Sequence, residues 1–260
     1  MFVDSHCHLS FPELSSRLPE VLQAMSEARV HEALCICTTL EELEAVRTVA
    51  CSDARLWATV GVHPDNEGVQ EPTVEDLVAA AQDPKIVGIG ETGLDYYRLG
   101  DRSVADMAWQ RDRFRTHIRA ANQVQLPLII HTRSASDDTL AILKEEGGQS
   151  GVFHCFTETE AVARAAVEMG FYISFSGILT FRNAQELRDV ARWVPMDRCL
   201  IETDSPYLAP VPYRGKTNMP AYVPHVAKQL AEVKGLDIEE VARITTENFE
   251  RLFSKTIRST

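Results

Sequence analysis

The chain reads as an α/β protein, a (β/α)8 TIM barrel, on three observations. Short apolar runs recur along its whole length, each followed by a polar loop and an amphipathic stretch, the alternation expected of βα units around a parallel sheet. Eight such runs occur, which favours a closed barrel over an open doubly wound sheet. No glycine-rich dinucleotide turn follows the first of them. With 260 residues and no internal repeat, low-complexity tract or linker, the expected organisation is one domain over residues 1–260.

The first strand is placed at Phe2-Val3, and Leu18, Val21, Leu22 and Met25 then keep helical spacing. The second strand is expected at Ala33–Cys37, followed by a capping box of Thr39 with Glu42, in which side chains satisfy orphan amides at a helix start. Runs at Leu56–Val62 and Ile86–Gly90 supply strands three and four, and Leu128–Ile130 the fifth. Leu140 and Leu143 mark the next helix, and Gly151–Phe153 the sixth strand. A box of Thr157 with Glu160 opens the helical pattern from Ala161 to Met169, and Phe171–Phe175 is the seventh strand. Asn183 with Glu186 forms a third box before the last strand, Cys199–Ile201. From Ser205 to Pro220, Pro206, Pro210, Pro212 and Pro220 interrupt any helix, so a long loop follows the eighth strand.

Composition excludes several classes. The chain is 45% hydrophobic and 25% charged, ordinary for a globular protein and unlike a disordered or fibrous one. It has no stretch of about 18 apolar residues, which argues against a spanning helix. Asp4, Ser5 and His6 follow the first three residues without a signal-peptide core, so a cytoplasmic location is expected. The six cysteines form no CxxC pair and are expected to be reduced core residues. A net charge of -12 disfavours wrapping a long duplex, because such affinity comes from neutralising many phosphates. An anionic substrate therefore needs local positive charge, which bound metal ions supply.

His6 and His8 are two apart on a strand, so their side chains share a face, as Asp4 would, while Ser5 and Cys7 point to the other. Alone, each imidazole is better explained as a hydrogen-bonded core histidine. The ends of the later strands change that reading: His63 in VGVHP, Glu91 in VGIGETGLD, His131 in LIIHTR, His154 in VFHCF and Asp204 in LIETDSP are all ligand types. Only His31, His117 and His225 lie elsewhere. A barrel gathers its C-terminal strand ends at one mouth. So many imidazoles and carboxylates buried together without a cation would destabilise the fold. The expected site is therefore metallic, with Zn²⁺, Mn²⁺ or Mg²⁺ all admissible. Six ligands exceed one open tetrahedral site, so two ions bridged by a carboxylate are expected.

DSHCHL, GVHPD, GETGLDYY, HTR, HCFT, ETDSPYLAP and RGKTNMP stand in the order and spacing of the TatD family of metal-dependent hydrolases, up to about Phe253. Within that family the chain most resembles the bacterial YcfH branch. The resemblance implies an amidohydrolase-type TIM barrel with two divalent ions and 3′-to-5′ exonuclease activity on DNA. It implies further that His6, His8, Glu91 and Asp204 hold one ion, and that Glu91, His131 and His154 hold the other, with Glu91 bridging. Ser134-Ala135 stands where the family often has Asp-Ala, and a serine there can still cap the following helix.

The expected mechanism places a water between two ions about 4 Å apart and directs it at phosphorus, with Asp204 taking its proton and Glu91 bridging the ions. His63 is expected to bind or protonate the scissile phosphate. Arg133, Arg214 and Lys216, and more weakly Arg182, fall in loops where they would grip phosphates. Tyr96, Tyr97, Phe156, Phe181, Tyr207 and Tyr213 lie in the same loops, available either to stack on unpaired bases or to pack the loops on the barrel. Asp95 either orients a ligand or substrate group or ends the turn after Gly93. The expected partners are DNA ends or another ester substrate, with no membrane and no obligate protein. Two other readings share these residues: hydrolysis of an ester or amide such as a D-aminoacyl-tRNA linkage, and a non-catalytic metal-binding scaffold.

Overall fold

The computed structural model describes residues 1–257; the last three residues of the expected 1–260 unit lie outside it. The strands are β1 (Phe2–Cys7), β2 (Val30–Cys35), β3 (Leu56–Val60), β4 (Ile86–Asp95), β5 (Leu128–Arg133), β6 (Gly151–Phe153), β7 (Tyr172–Phe175) and β8 (Cys199–Ile201). They form one sheet in sequential order, and each strand from β1 to β7 pairs in parallel with the next. Helices α1 (Pro12–Ser15) and α2 (Leu18–Glu27) follow β1, and α3 (Leu43–Ser52) follows β2. Then α4 (Val74–Ala80), α5 (Ala108–Val124), α6 (Ser136–Glu145), α7 (Glu160–Glu168) and α8 (Gln185–Trp193) each follow one strand, and α9 (Val223–Lys234) with α10 (Ile238–Leu252) completes the described chain. This is the expected (β/α)8 barrel. No helix among the described residues is long and apolar enough to cross a membrane.

The interior shows why eight strands close. Val3, Leu34, Trp57, Val87, Ile129, Val152, Tyr172 and Leu200, one from each strand, form a single buried cluster with Phe249, Leu252 and Phe253. A set touching all eight strands can only lie inside the barrel, and the end of α10 stops its lower mouth. The last seam is made beyond β8, where the amide of Asp204 donates to the His6 carbonyl at 2.9 Å and that of His8 to Ser205 at 2.8 Å.

Several local expectations are corrected. β4 continues five residues past Gly90 and so takes Glu91 and Asp95 into the strand. The turn expected after Gly93 is therefore strand, and glycines here permit close packing: a Cβ on Gly90 would lie 2.6 Å from the Ile129 carbonyl oxygen, and one on Gly61 would lie 2.5 Å from Gly90. The Thr39 and Glu42 bonds form, but α3 begins after them. Thr159 rather than Thr157 caps α7. No side chain caps α8 or α6, so neither Asn183 nor Ser134 plays that part; Ser134 instead has φ of 54°. All six cysteines are free, but Cys51 is exposed and Cys155 only partly buried.

The proline-bearing segment after β8 is irregular, as expected. Without a backbone ladder, the Asn218 amide holds it, donating to the carbonyls of Thr203 at 2.8 Å and Tyr207 at 2.6 Å.

Candidate metal centre

Inward parity carries the ligand-type residues to the upper mouth. Ile129, Val152 and Leu200 point inward, so His131, His154 and Glu202, two residues further along, do too. β1 needs an extra device, because Val3 is inward and simple alternation would place Ser5 and Cys7 there. Asp4 pairs with Ala33 and Cys7 with Cys35, three steps on one strand against two on the other. This bulge turns His6 and His8 inward. Asp4 does not share their face: its carboxylate accepts from the amide of Thr203 at 2.9 Å and its hydroxyl at 2.5 Å. Burial dominates those bonds and pushes the Asp4 carboxyl up to about 8.

All six expected ligands meet around Glu91, whose two oxygens face different partners. Oε2 lies 3.3 Å from His6 Nε2 and 3.9 Å from His8 Nε2. Oε1 lies 2.8 Å from His154 Nε2, 3.2 Å from His63 Nε2 and 3.4 Å from His131 Nδ1. Asp204 Oδ1 closes the first side, 3.5 Å from His6 Nε2 and 3.4 Å from His8 Nε2. Burial works to raise the Glu91 carboxyl, but the imidazoles of His154, His63 and His6 hold it well below the usual range. Burial likewise opposes ionisation of Asp204, and the bond from His8 with the nearby His6 and His154 overcomes it. Both carboxylates are thus anionic donors.

The donor set fits divalent cations. His6 Nδ1 and Nε2, His8 Nδ1, His154 Nε2 and Glu202 Oε2 are buried without a hydrogen-bond partner. His154 Nε2 sits within 2.8 Å of Glu91 Oε1 yet is not aligned for a hydrogen bond. Of these, His6 Nε2 and His154 Nε2 face Glu91, and leaving both unanswered is costly unless a cation takes their lone pairs. His6, His8 and Asp204 form one mutually close group and His63, Glu91 and His131 another.

Helix α5 supplies support that the sequence did not reveal. Gln110, Arg113 and His117, at i, i+3 and i+7, share one face. The Gln110 side chain accepts from the Asp95 amide at 2.9 Å and donates to its carbonyl at 3.1 Å. The buried Arg113 guanidinium donates to the carbonyls of His63 and Asn66, each at 2.8 Å, and pairs with Glu71. His117 Nε2 accepts from the Val62 amide at 3.0 Å. The β3 and β4 ends are thereby held against one helix. Asp95 itself accepts from His131 Nε2 at 2.9 Å, which leaves Nδ1 facing Glu91.

The cluster floors a cavity of about 700 Å³ whose lining includes His63, Arg98, Arg133 and Tyr207. Arg214, Lys216 and Arg182 are exposed and do not line it. Arg214 stacks over Phe181 at 3.8 Å and Lys216 lies 5.7 Å from the Tyr213 ring. Of the six aromatics, Tyr96 and Phe156 are buried packing and Tyr213 stacks on Tyr222 at 4.0 Å. Tyr97 and Tyr207 remain more than half exposed. Sequence reasoning missed Arg98, which an exposed loop arginine does not announce. It also missed Glu202, although inward parity from Leu200 identifies it.

The family model for TatD related DNase matches residues 3–254. The metal-dependent hydrolase YcfH of Escherichia coli strain K12 is 47% identical over 257 residues, 96% of this chain and 95% of that protein. The 3′-5′ ssDNA/RNA exonuclease TatD of Citrobacter rodentium strain ICC168 is 34% identical, covering 92% and 93%. The crystal structure of YJJV, a TatD homologue from Escherichia coli K12, superposes with a TM-score of 0.90 at 29% identity over 97% and 98% of the two chains. Given a barrel of this form and a mouth of converging metal ligands, the chain belongs to the TatD family and is a metal-dependent hydrolase acting on ester bonds.

Proposed function

We propose that this hydrolase is a 3′-to-5′ exonuclease acting on single-stranded DNA ends with two divalent ions. The observation that carries it is the division of Glu91, with one oxygen toward His6 and His8 and the other toward His131 and His154. His6, His8 and Asp204 would hold one ion, His131 and His154 the other, and Glu91 would bridge. When bound, the ions supply Lewis acidity and activate a water. Asp204, at the cavity wall, takes the proton from the attacking water. His63, 19% exposed and facing the cavity, contacts the scissile phosphate, and Arg133 grips a phosphate oxygen beside it. Mouth cations answer a phosphodiester more directly than a neutral acyl ester, and the Citrobacter relative named as an exonuclease points the same way.

The test is to strip metal with a chelator, restore Mg²⁺, Mn²⁺ or Zn²⁺ in turn, and follow end-labelled single-stranded DNA beside an aminoacyl ester. Stepwise release of mononucleotides from the 3′ end is expected, and its loss in Asp204→Asn with a preserved fold. Cleavage of the ester alone would overturn the reading, and an active Asp204→Asn would remove the general base.

A further inference from the structure

Glu202 is a fully buried carboxylate that the mechanism above does not use. It is absent from the cavity lining, so substrate does not reach it. Its Oε1 accepts from His154 Nδ1 at 3.3 Å, and its Oε2 has no partner. Burying a carboxyl group with an unpartnered oxygen is destabilising unless that oxygen is answered nearby. What lies nearby is a stacked pair of imidazoles, His6 and His154, 3.8 Å between centroids and inclined by 7°. A ring nitrogen of each and a Glu202 oxygen lie mutually within 4.8 Å, and His6 Nδ1 also lacks a partner.

Resting on the two-ion assignment above, we propose that Glu202 is a shared positioning residue: one carboxylate beneath both rings, holding His154 through Oε1 and His6 through Oε2, so that a ligand of each ion depends on it. Glu91 would thus join the two ions from the cavity side and Glu202 join their histidines from beneath. A carboxylate that accepts from the far nitrogen of a ligating imidazole fixes the tautomer, aims the near nitrogen and strengthens it as a donor. Asp95 acts in this way on His131 alone, at 2.9 Å, and so provides an internal contrast: it should touch one ion where Glu202 touches two.

The experiment is calorimetric titration of Mn²⁺ into chelator-stripped wild type, Glu202→Gln and Asp95→Asn, with apoprotein melting measured alongside. Glu202→Gln is expected to weaken both binding events about 10- to 100-fold. Apoprotein melting separates the two roles, because the amide keeps an oxygen able to accept from His154 Nδ1 and a change in folding alone leaves both affinities in place. Asp95→Asn should weaken one event and spare the other. Wild-type affinities in Glu202→Gln overturn the proposal, as does weakening of a single event, which would make Glu202 a partner of one ion only. A lower apoprotein melting temperature with both affinities unchanged would reduce Glu202 to a structural role and overturn it too. One binding event in wild type would instead overturn the two-ion assignment itself. Should Glu202→Gln fail to fold, proton NMR of the Zn²⁺-loaded wild type decides. Slowly exchanging ring N–H protons are expected on both His6 and His154, and a rapidly exchanging His6 proton overturns the shared role.

Discussion

His117 ties the stability of the fold to pH through one buried imidazole. Burial is the main cause that pushes it down from 6.5 to about 4, and the Arg113 guanidinium adds to the effect. The hydrogen bonds demand the same neutral state. Nε2 accepts from the Val62 amide at 3.0 Å, so Nδ1 carries the proton and donates to the Arg113 carbonyl at 2.8 Å. A second proton on Nε2 would oppose one N–H to another. Because the folded value lies below the unfolded one, the stabilising contribution is fully present above about pH 6.5 and is lost as pH falls toward 4. At about 1.4 kcal/mol per pH unit the whole effect is about 3 kcal/mol, roughly 2 of it gone by pH 5. Urea unfolding of chelator-treated wild type and His117→Gln at pH 7 and pH 5 measures this. The ligand histidines titrate in both proteins and cancel in the comparison. The variant should be the weaker at pH 7, having disturbed a buried hydrogen bond worth about 1–3 kcal/mol. Its further decline to pH 5 should be about 2 kcal/mol smaller than that of wild type. An equal decline in the two proteins would refute the argument.

Other expectations follow from single contacts. Gly90→Ala places a methyl 2.6 Å from the Ile129 carbonyl oxygen at φ of 145°, and should lower stability by about 1–3 kcal/mol or more while weakening metal binding through the displaced Glu91; a melting curve and a metal titration check both. Phe253→Ala removes the plug of the lower interior and should destabilise by about 3–5 kcal/mol, yet leave turnover per folded molecule unchanged because the centre lies at the opposite mouth. Arg133→Ala should reduce kcat/KM roughly 10- to 100-fold even on a small phosphodiester, the worth of a charge-assisted bond. Arg214→Ala and Lys216→Ala, outside the cavity, should matter only for longer strands.

Much of the site was legible because a barrel converts sequence position into spatial position. The strand-end rule named His131, His154, Glu91 and Asp204 as neighbours although up to 113 residues separate them, and all are in one cluster. Local rules did less well where tertiary contacts compete with them. A turn was expected after Gly93, and pairing with β5 at His131 makes that stretch strand. Residues taken as helix caps at Thr157, Asn183 and Ser134 are displaced by the true boundaries, which several elements set together. Sequence put Arg133, Arg214 and Lys216 forward together, and only the surface decides that Arg133 faces the cavity while Arg214 and Lys216 do not.

By itself, then, the order of apolar runs and of the residues ending them determined a closed parallel barrel with a metal-binding mouth. Both are periodic signals, repeated along the chain and fixed by the pleat of each strand. Tertiary structure alone decided that a bulge in β1 turns His6 and His8 inward, that Asp4 stays out, and that Gln110, Arg113 and His117 brace the strand ends. It also decided that Glu202, inward by parity, meets His154 Nδ1 and stays off the cavity lining. Those outcomes depend on register between neighbouring strands and on which helix lies behind them, quantities that no single segment of the chain contains.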